Sequence, residues 1–227
     1  MTEPLTPSAG WNVLHLFCKV GPGADGAAVA AAVKAAEGDD HQVVPFVVVG
    51  HKADVGFMAL GPDLWRLRAL QTNLQRAGLD VRNSYLSLTE VSEYAQGMPE
   101  EAKRPRLYPQ LPPEGKSAFC FYPMSKRRNI GQNWYAEPFE RREELMRGHG
   151  ATGRTFAGRV LQVITGSAGL DDFEWGVTLF ATRPDDLKDV VYTMRFDEAS
   201  AVYAEFGPFY AGIVADLSDV LAAAGLG

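Results

Sequence analysis

VGFMALGPDLWRLRALQTNLQRA, residues 55–77, and WGVTLFATRPDDLKDVVYTMR, residues 175–195, share one pattern. Each opens on a short apolar run of β-forming residues and breaks at a Pro-Asp pair, Pro62-Asp63 or Pro184-Asp185. Each then continues as a helix; in the first, Leu64, Leu67, Leu70 and Leu74 recur at helical spacing. Working outward from the first copy, Trp11–Val20 alternates as a strand and Ala24–Ala36 is Ala-rich and helix-compatible. Gln42–Val49 is a buried strand, and Asn83–Tyr94 is strand-like. Around the second copy, Ala118–Met124 is a strand, Pro138–His149 a helix opened by proline, and Arg159–Thr165 a strand. The copy itself gives a strand from Glu174 to Ala181 and a helix over Pro184–Met194, and Phe206–Val214 is the last strand-like segment. The order β-α-β-β-α-β therefore occurs twice, which is the ferredoxin-like motif. The expected fold class is α+β, with tandem ferredoxin-like repeats forming a dimeric α+β barrel within one chain. In it, the sheet faces left bare by the helices meet or enclose a ligand. The expected divisions are an N-terminal half over residues 1–95, a Pro-rich linker over 96–116 without regular structure, and a C-terminal half over 117–227 carrying the site. Residues 1–10 read as a loose tail.

Composition narrows the function. The chain has 227 residues, 46% of them hydrophobic, enough for a sizeable core. Its net charge of −6 argues against nucleic acid as a partner. No apolar run approaches the ~20 residues of a membrane span, and Met1–Gly10 lacks the pattern of a secretory signal. The two cysteines, Cys18 and Cys120, lie in strand-like stretches and suit a reducing cytoplasm as buried thiols. There is no GxGxxG after a strand, no Walker A sequence and no GxSxG, so nucleotide folds and nucleophile elbows lack support.

Of the four histidines, His15 reads as structural, His41 as solvated in a turn, and His51 as part of a turn. His149 closes the helix from Pro138 and shares a face with Leu145 and Met146. It is either a satisfied core residue or a single imidazole ligand, and the glycines of Gly150–Gly153 would admit a large planar group beside it. If the strand from Ala118 runs on, Tyr122, Met124 and Lys126 share one face. That joins an oxidisable phenol to an anion-binding ammonium; the plain alternative is a solvated end, Lys126-Arg127-Arg128. Gln162 shares a face with Val160 and Ile164, either as a structural hydrogen bond or as a polar group facing a pocket. Arg195 and Ser200 could hold a carboxylate between them, unless Arg195 pairs with Asp197 or Glu198.

Taken together, FYPMSKRR (121–128), NWY (133–135), His149-Gly150, QVITGS (162–167), DFEWGVTLF (172–180), MRFDEAS (194–200) and FGPFYAG (206–212) resemble the coproheme decarboxylase family of the chlorite dismutase-like superfamily. GHKADVGFM (50–58) and DLWRLRALQTNLQRA (63–77) extend the resemblance into the first half. The resemblance implies a homopentamer that converts iron-coproporphyrin III to haem b. Hydrogen peroxide is the oxidant, and two propionates become vinyl groups. It implies His149 as the axial iron ligand, Tyr122 as the radical-forming tyrosine, and Lys126 as the lysine near the reacting propionate. It places Gln162 over the distal face, and makes Arg106, Arg195 and Ser200 propionate contacts. The porphyrin substrate acts as its own redox cofactor, and the upstream ferrochelatase is the expected partner. The alternatives are a haem carrier or sensor without chemistry, which would give Tyr122 no role, and a chlorite dismutase or peroxidase. The neutral Gln162 disfavours the former of these two enzymes, whose family places an arginine at that position.

Overall fold

In the computed structural model, residues 3–95 and 97–227 are described. Met1 and Thr2 of the expected tail, and Gln96 at the start of the expected linker, lie outside them. The first part of the chain forms β1 (Asn12–Val20), α1 (Gly26–Ala36), β2 (Gln42–Val48), β3 (Val55–Gly61), α2 (Leu64–Arg76) and β4 (Leu79–Thr89). Side-chain caps start both helices: Asp25 accepts from the N–H groups of Ala27 and Ala28, and Asp63 from that of Trp65. After α3 (Glu100–Leu107) come β5 (Ala118–Lys126), the small hairpin β6 (Arg128–Asn129) and β7 (Gln132–Asn133), and α4 (Phe139–Arg154). The chain ends with β8 (Val160–Gly166), β9 (Trp175–Ala181), α5 (Pro184–Met194), α6 (Glu198–Ala201), β10 (Ala204–Phe206), β11 (Tyr210–Val214) and α7 (Leu217–Ala223).

All pairings in the main sheet are antiparallel. The strands run in the order β2-β3-β1-β4 and then β8-β9-β5-β11. Each group thus carries its second, third, first and last long strands in the same order. Two seams join the groups: Leu88 and Thr89 pair with Gly166 and Thr165, and Gly212–Val214 pair with Phe46–Val48. The result is a closed ring, with β10 lying beside β5 beyond the end of β11. Closure leaves the long strands no free edge.

Alternation along the strands sorts side chains between two environments. Inward-facing Phe17, Phe46, Phe119, Phe121, Phe180 and Met58 fill the barrel, with Phe46 stacked on Phe119 at 3.9 Å. The two sheet faces therefore meet over a packed core, and the cleft lies outside the barrel. On the outer surface, α1 and α2 cover Leu16, Cys18 and Phe57 through Val29, Val33, Leu67, Leu70 and Leu74. On the other side, α5 packs through Val190 against Cys120, Val177 and Leu179. Both cysteines are buried free thiols, and His15 is a buried structural residue bonded through Nε2 to Thr178 Oγ1 at 2.9 Å.

Several elements differ from the sequence reading. The linker contains α3, whose acidic first turn and basic last turn suit the helix dipole, with Pro105 inside its final turn. The strand expected over Asn83–Tyr94 runs instead from Leu79 to Thr89. His149 does not close its helix: α4 continues to Arg154, so Gly150–Gly153 are helical, and tertiary packing outweighs their low helix propensity. The segment Phe206–Val214 is interrupted between β10 and β11, and α7 follows it. His41 is buried: its Nδ1 lies 3.0 Å from the Asp39 carbonyl and its Nε2 accepts from Asp63 N–H at 3.1 Å. The ring thereby joins the start of β2 to the start of α2.

The seam between β11 and β2 is intolerant of side chains. A Cβ at Gly212 would stand 2.1 Å from the Val47 carbonyl oxygen. Gly212→Val is expected to destabilise the fold by about 1–3 kcal/mol or more, read as a lowered urea midpoint. An unchanged midpoint would show that the seam is loose.

Candidate functional site

The site is assembled from β5, β8, α4, α6 and the segment joining α5 to α6. Tyr122, Met124 and Lys126 do share one face, because β5 extends to Lys126. Phe119 and Phe121 point into the barrel, so their neighbours Cys120 and Tyr122 point outward, towards α5. The Tyr122 ring stacks on Phe209 at 4.5 Å and meets Phe206 at 5.6 Å. Its hydroxyl makes no hydrogen bond among the described residues. Burial pushes its acidity well below that of an ordinary phenol; Cys120 adds to this effect and the Arg195 charge opposes it. Tyr122 therefore stays protonated across the neutral range.

Lys126 is 7% exposed. Its Nζ donates to the Ala199 carbonyl at 2.7 Å and lies 4.3 Å from the centre of the Trp134 ring. Burial draws its pKa down to about 8, against the opposing pull of the Asp197 and Glu174 carboxylates. Glu174 also fixes the strand end: it accepts from Lys126 N–H at 2.8 Å and pairs with Arg128.

His149 projects from α4 towards α6. Its Nδ1 lies 3.0 Å from Asp197 Oδ2. A carboxylate can only accept, so Nδ1 carries the proton and the Nε2 lone pair is left for a metal. Nε2 has no hydrogen-bond partner among the described residues. Asp197 caps α6 and accepts the Ser200 N–H at 3.0 Å and the Ser200 hydroxyl at 3.3 Å. Burial alone would raise the Asp197 pKa; the hydrogen bond and charge of His149, together with the Ser200 bonds, hold it below the ordinary carboxylate value. No group of three or more His, Cys, Asp or Glu side chains among the described residues could hold a metal ion. His149 thus suits a metal whose remaining ligands come from a non-protein group, as in an iron porphyrin.

Beside this pair lies a cleft of ≈ 270 Å³ lined by Arg127, Arg195, Ser200, Ala201, Ala204 and Phe206. Arg195 does not pair with its acidic neighbours: Asp197 is engaged by His149, and Glu198 by Arg141. Its guanidinium lies 5.3 Å from the Phe206 ring. Ser200 lines the cleft while also bracing Asp197. Gln162 on β8 donates to Met194 Sδ at 3.8 Å, close to Gly153 of α4. Arg106 is exposed on α3 and is absent from the cleft lining.

Sequence reasoning missed two participants. Asp197 heads a short helix in an N-cap pattern, Asp197-Glu198-Ala199-Ser200, which is a readable signal. Its bond to His149 crosses 48 residues and leaves no local trace. Arg127 reads as one of three solvated cations, yet it reaches the cleft.

The arrangement can therefore hold a planar metal complex through one imidazole and bind its anionic arms with cations, next to an oxidisable phenol. The chain is 46% identical over 175 residues to a coproheme decarboxylase of Staphylococcus saprophyticus, covering 73% of this chain and 70% of that protein. It is 44% identical over 187 residues to a coproheme decarboxylase of Thermus thermophilus, covering 80% and 74%. The solved structure of a haem-binding protein from Thermus thermophilus superposes with a TM-score of 0.87 at 38% identity, covering 100% of both chains. A profile of the family described as chlorite dismutase matches residues 24–215, and the chain belongs to that family.

Proposed function

We propose that the protein oxidatively decarboxylates iron-coproporphyrin III to haem b, with hydrogen peroxide as oxidant. The observation that carries this reading is that Lys126 and His149 are both tied to the head of α6, through Ala199 and Asp197, next to a cleft whose Phe206 wall touches the Tyr122 ring, in a chain 44–46% identical to proteins named coproheme decarboxylase. The bound porphyrin iron, oxidised by peroxide, supplies the oxidising power. The protein supplies position and charge. Asp197 holds the His149 imidazole with its proton on Nδ1, so Nε2 meets the iron in one tautomer and orientation. Tyr122, protonated and walled by Phe206 and Phe209, gives up its hydroxyl hydrogen atom and then takes one from the propionate side chain. Lys126 stands at the end of the same strand face, and its ammonium holds the reacting carboxylate. Each reacting arm loses carbon dioxide and a proton and stays on the ring as a vinyl group, with two electrons passing to one peroxide. Gln162 is a neutral amide beside the porphyrin face; Arg195 and Ser200 are the carboxylate contacts in the cleft, and Arg106, outside its lining, is left for an arm that extends beyond it.

The functional divisions follow the same reading: the C-terminal half, 117–227, carries the site, and the N-terminal half, 1–95, completes the barrel. The protein works as a cytoplasmic homopentamer in haem biosynthesis and receives its porphyrin from a ferrochelatase. No helix among the described residues is long and apolar enough to cross a membrane.

Incubating the protein with iron-coproporphyrin III and titrating in peroxide should give two successive mass losses of carbon dioxide from the pigment. An unaltered pigment would overturn the reading. Tyr122→Phe should bind the porphyrin as the parent does and fail at the first loss; undiminished turnover would remove Tyr122 from the chemistry. The carboxylate grip of Lys126 should weaken as pH rises through about 8, where its ammonium loses its proton. Lys126→Met should flatten that dependence of substrate affinity. The folded pKa lies below the ordinary 10.5, so the folded state binds fewer protons than the unfolded chain between the two values. The contribution of Lys126 to stability therefore rises with pH across that window, and Lys126→Met should lose the rise in a series of urea midpoints.

A further inference from the structure

Two guanidiniums meet at the cleft beside His149, and one has no role so far. Arg127 immediately follows Lys126 at the end of β5. Its backbone is pinned on both sides: its N–H donates to the Tyr203 carbonyl at 2.7 Å, and its carbonyl accepts from Trp134 N–H at 2.9 Å. One terminal nitrogen, Nη1, donates to the Val202 carbonyl at 3.3 Å and to Gln132 Oε1 at 3.2 Å. The only carboxylate near it among the described residues is that of Glu205, 3.9 Å from Nε, a long and half-exposed pair. Nη2 has no partner among the described residues. Arg195, on the same cleft, has no ion pair among the described residues.

Two like charges beside one cleft repel each other unless an anion lies between them. The rest of the lining says what kind of anion. Phe206, Ala201 and Ala204 supply an apolar wall, and Ser200 a hydroxyl. An alkyl arm ending in a carboxylate fits both parts of that surface; a bare inorganic anion would use only the polar part. Phe206 also touches the Tyr122 ring, at 5.6 Å, so the cleft adjoins the oxidisable phenol. We propose that Arg127 and Arg195 form a two-guanidinium clamp for the reacting carboxylate arm of the porphyrin that Lys126 does not hold, and that this clamp makes the protein prefer the tetracarboxylate substrate over the dicarboxylate product. This rests on the function proposed above. Decarboxylation turns the held arm into a neutral vinyl group, which leaves both guanidiniums without their ligand, so the clamp promotes product release.

The test is a titration of metal-free protein with iron-coproporphyrin III and, separately, with haem b, read by quenching of tryptophan fluorescence. The parent protein should bind the tetracarboxylate about tenfold or more tighter, as expected for charge-assisted bonds to a carboxylate. Arg127→Gln should remove most of that ratio by weakening the tetracarboxylate alone. Equal weakening of both ligands, or of neither, overturns the clamp. Should Arg127→Gln fail to fold, Arg127→Lys keeps the charge and loses the fork. It should reduce the ratio, and an unchanged ratio there overturns the clamp as well. Parent protein that binds iron-coproporphyrin III but releases no carbon dioxide when peroxide is then added overturns the proposed function, while the affinity ratio still decides the clamp. Decarboxylation with a ratio insensitive to Arg127 overturns the clamp alone.

Discussion

The alternation of side chains along β5 is the constraint on which both the fold and the site depend. Phe119 and Phe121 point inward and join the aromatic packing that fills the barrel, where Phe121 lies 4.2 Å from the buried His15 ring. Between and beyond them, Cys120, Tyr122 and Met124 must point outward, beneath α5. Tyr122 is held rigidly because its strand neighbours are locked in the core. A slip of one residue would exchange the two sets, placing the phenol in the barrel and the phenylalanines in the cleft. The same strand ends at Lys126, where Glu174 accepts its backbone N–H. Packing inside the barrel thus fixes chemistry outside it.

The support of His149 is built differently. His149 stands on a helix with a polar sequence and a single buried apolar residue, Leu145. What orients the imidazole is the bond to Asp197, itself set at the head of α6 by two bonds from Ser200. Lys126 reaches the same short helix through the Ala199 carbonyl. The His149 imidazole, the Asp197 carboxylate and the Lys126 ammonium therefore share one small support, and a shift of α6 would disturb all three together. The net charge of −6 belongs to the molecule as a whole. Locally, Arg127 and Arg195 line the cleft and give it positive charge.

Most of this architecture can be read in the chain. The two strand–Pro-Asp–helix passages give the repeat, and Pro184–Met194 coincides with its helix, because proline at the first turn and acidic residues after it leave little ambiguity. The face shared by Tyr122, Met124 and Lys126 follows from strand periodicity alone. Other features depend on contacts that no local pattern records. The glycines after His149 look like a helix end, yet the helix runs through them. His41 looks solvated beside Asp39 and Asp40, yet its ring fills the space left by the missing side chain of Gly61, where a Cβ would stand 2.1 Å from it. The prolines of 96–116 conceal α3, whose stability comes from charges at its two ends rather than from composition.

The two seams of the barrel have a consequence for how such a chain can have arisen and diverged. Cut between β4 and β5, each half would expose two unpaired strand edges, β2 and β4 on one side and β8 and β11 on the other. Such edges invite pairing with other chains. The halves are therefore bound to a shared history even though their duties have separated. One covers its outer face with α1 and α2 and leaves an apolar groove beside Trp65, while the other carries a cationic cleft between its strands and helices. A duplicated motif of this kind can change only as a pair: each copy is free to alter its surface, but not the strands through which the other is closed.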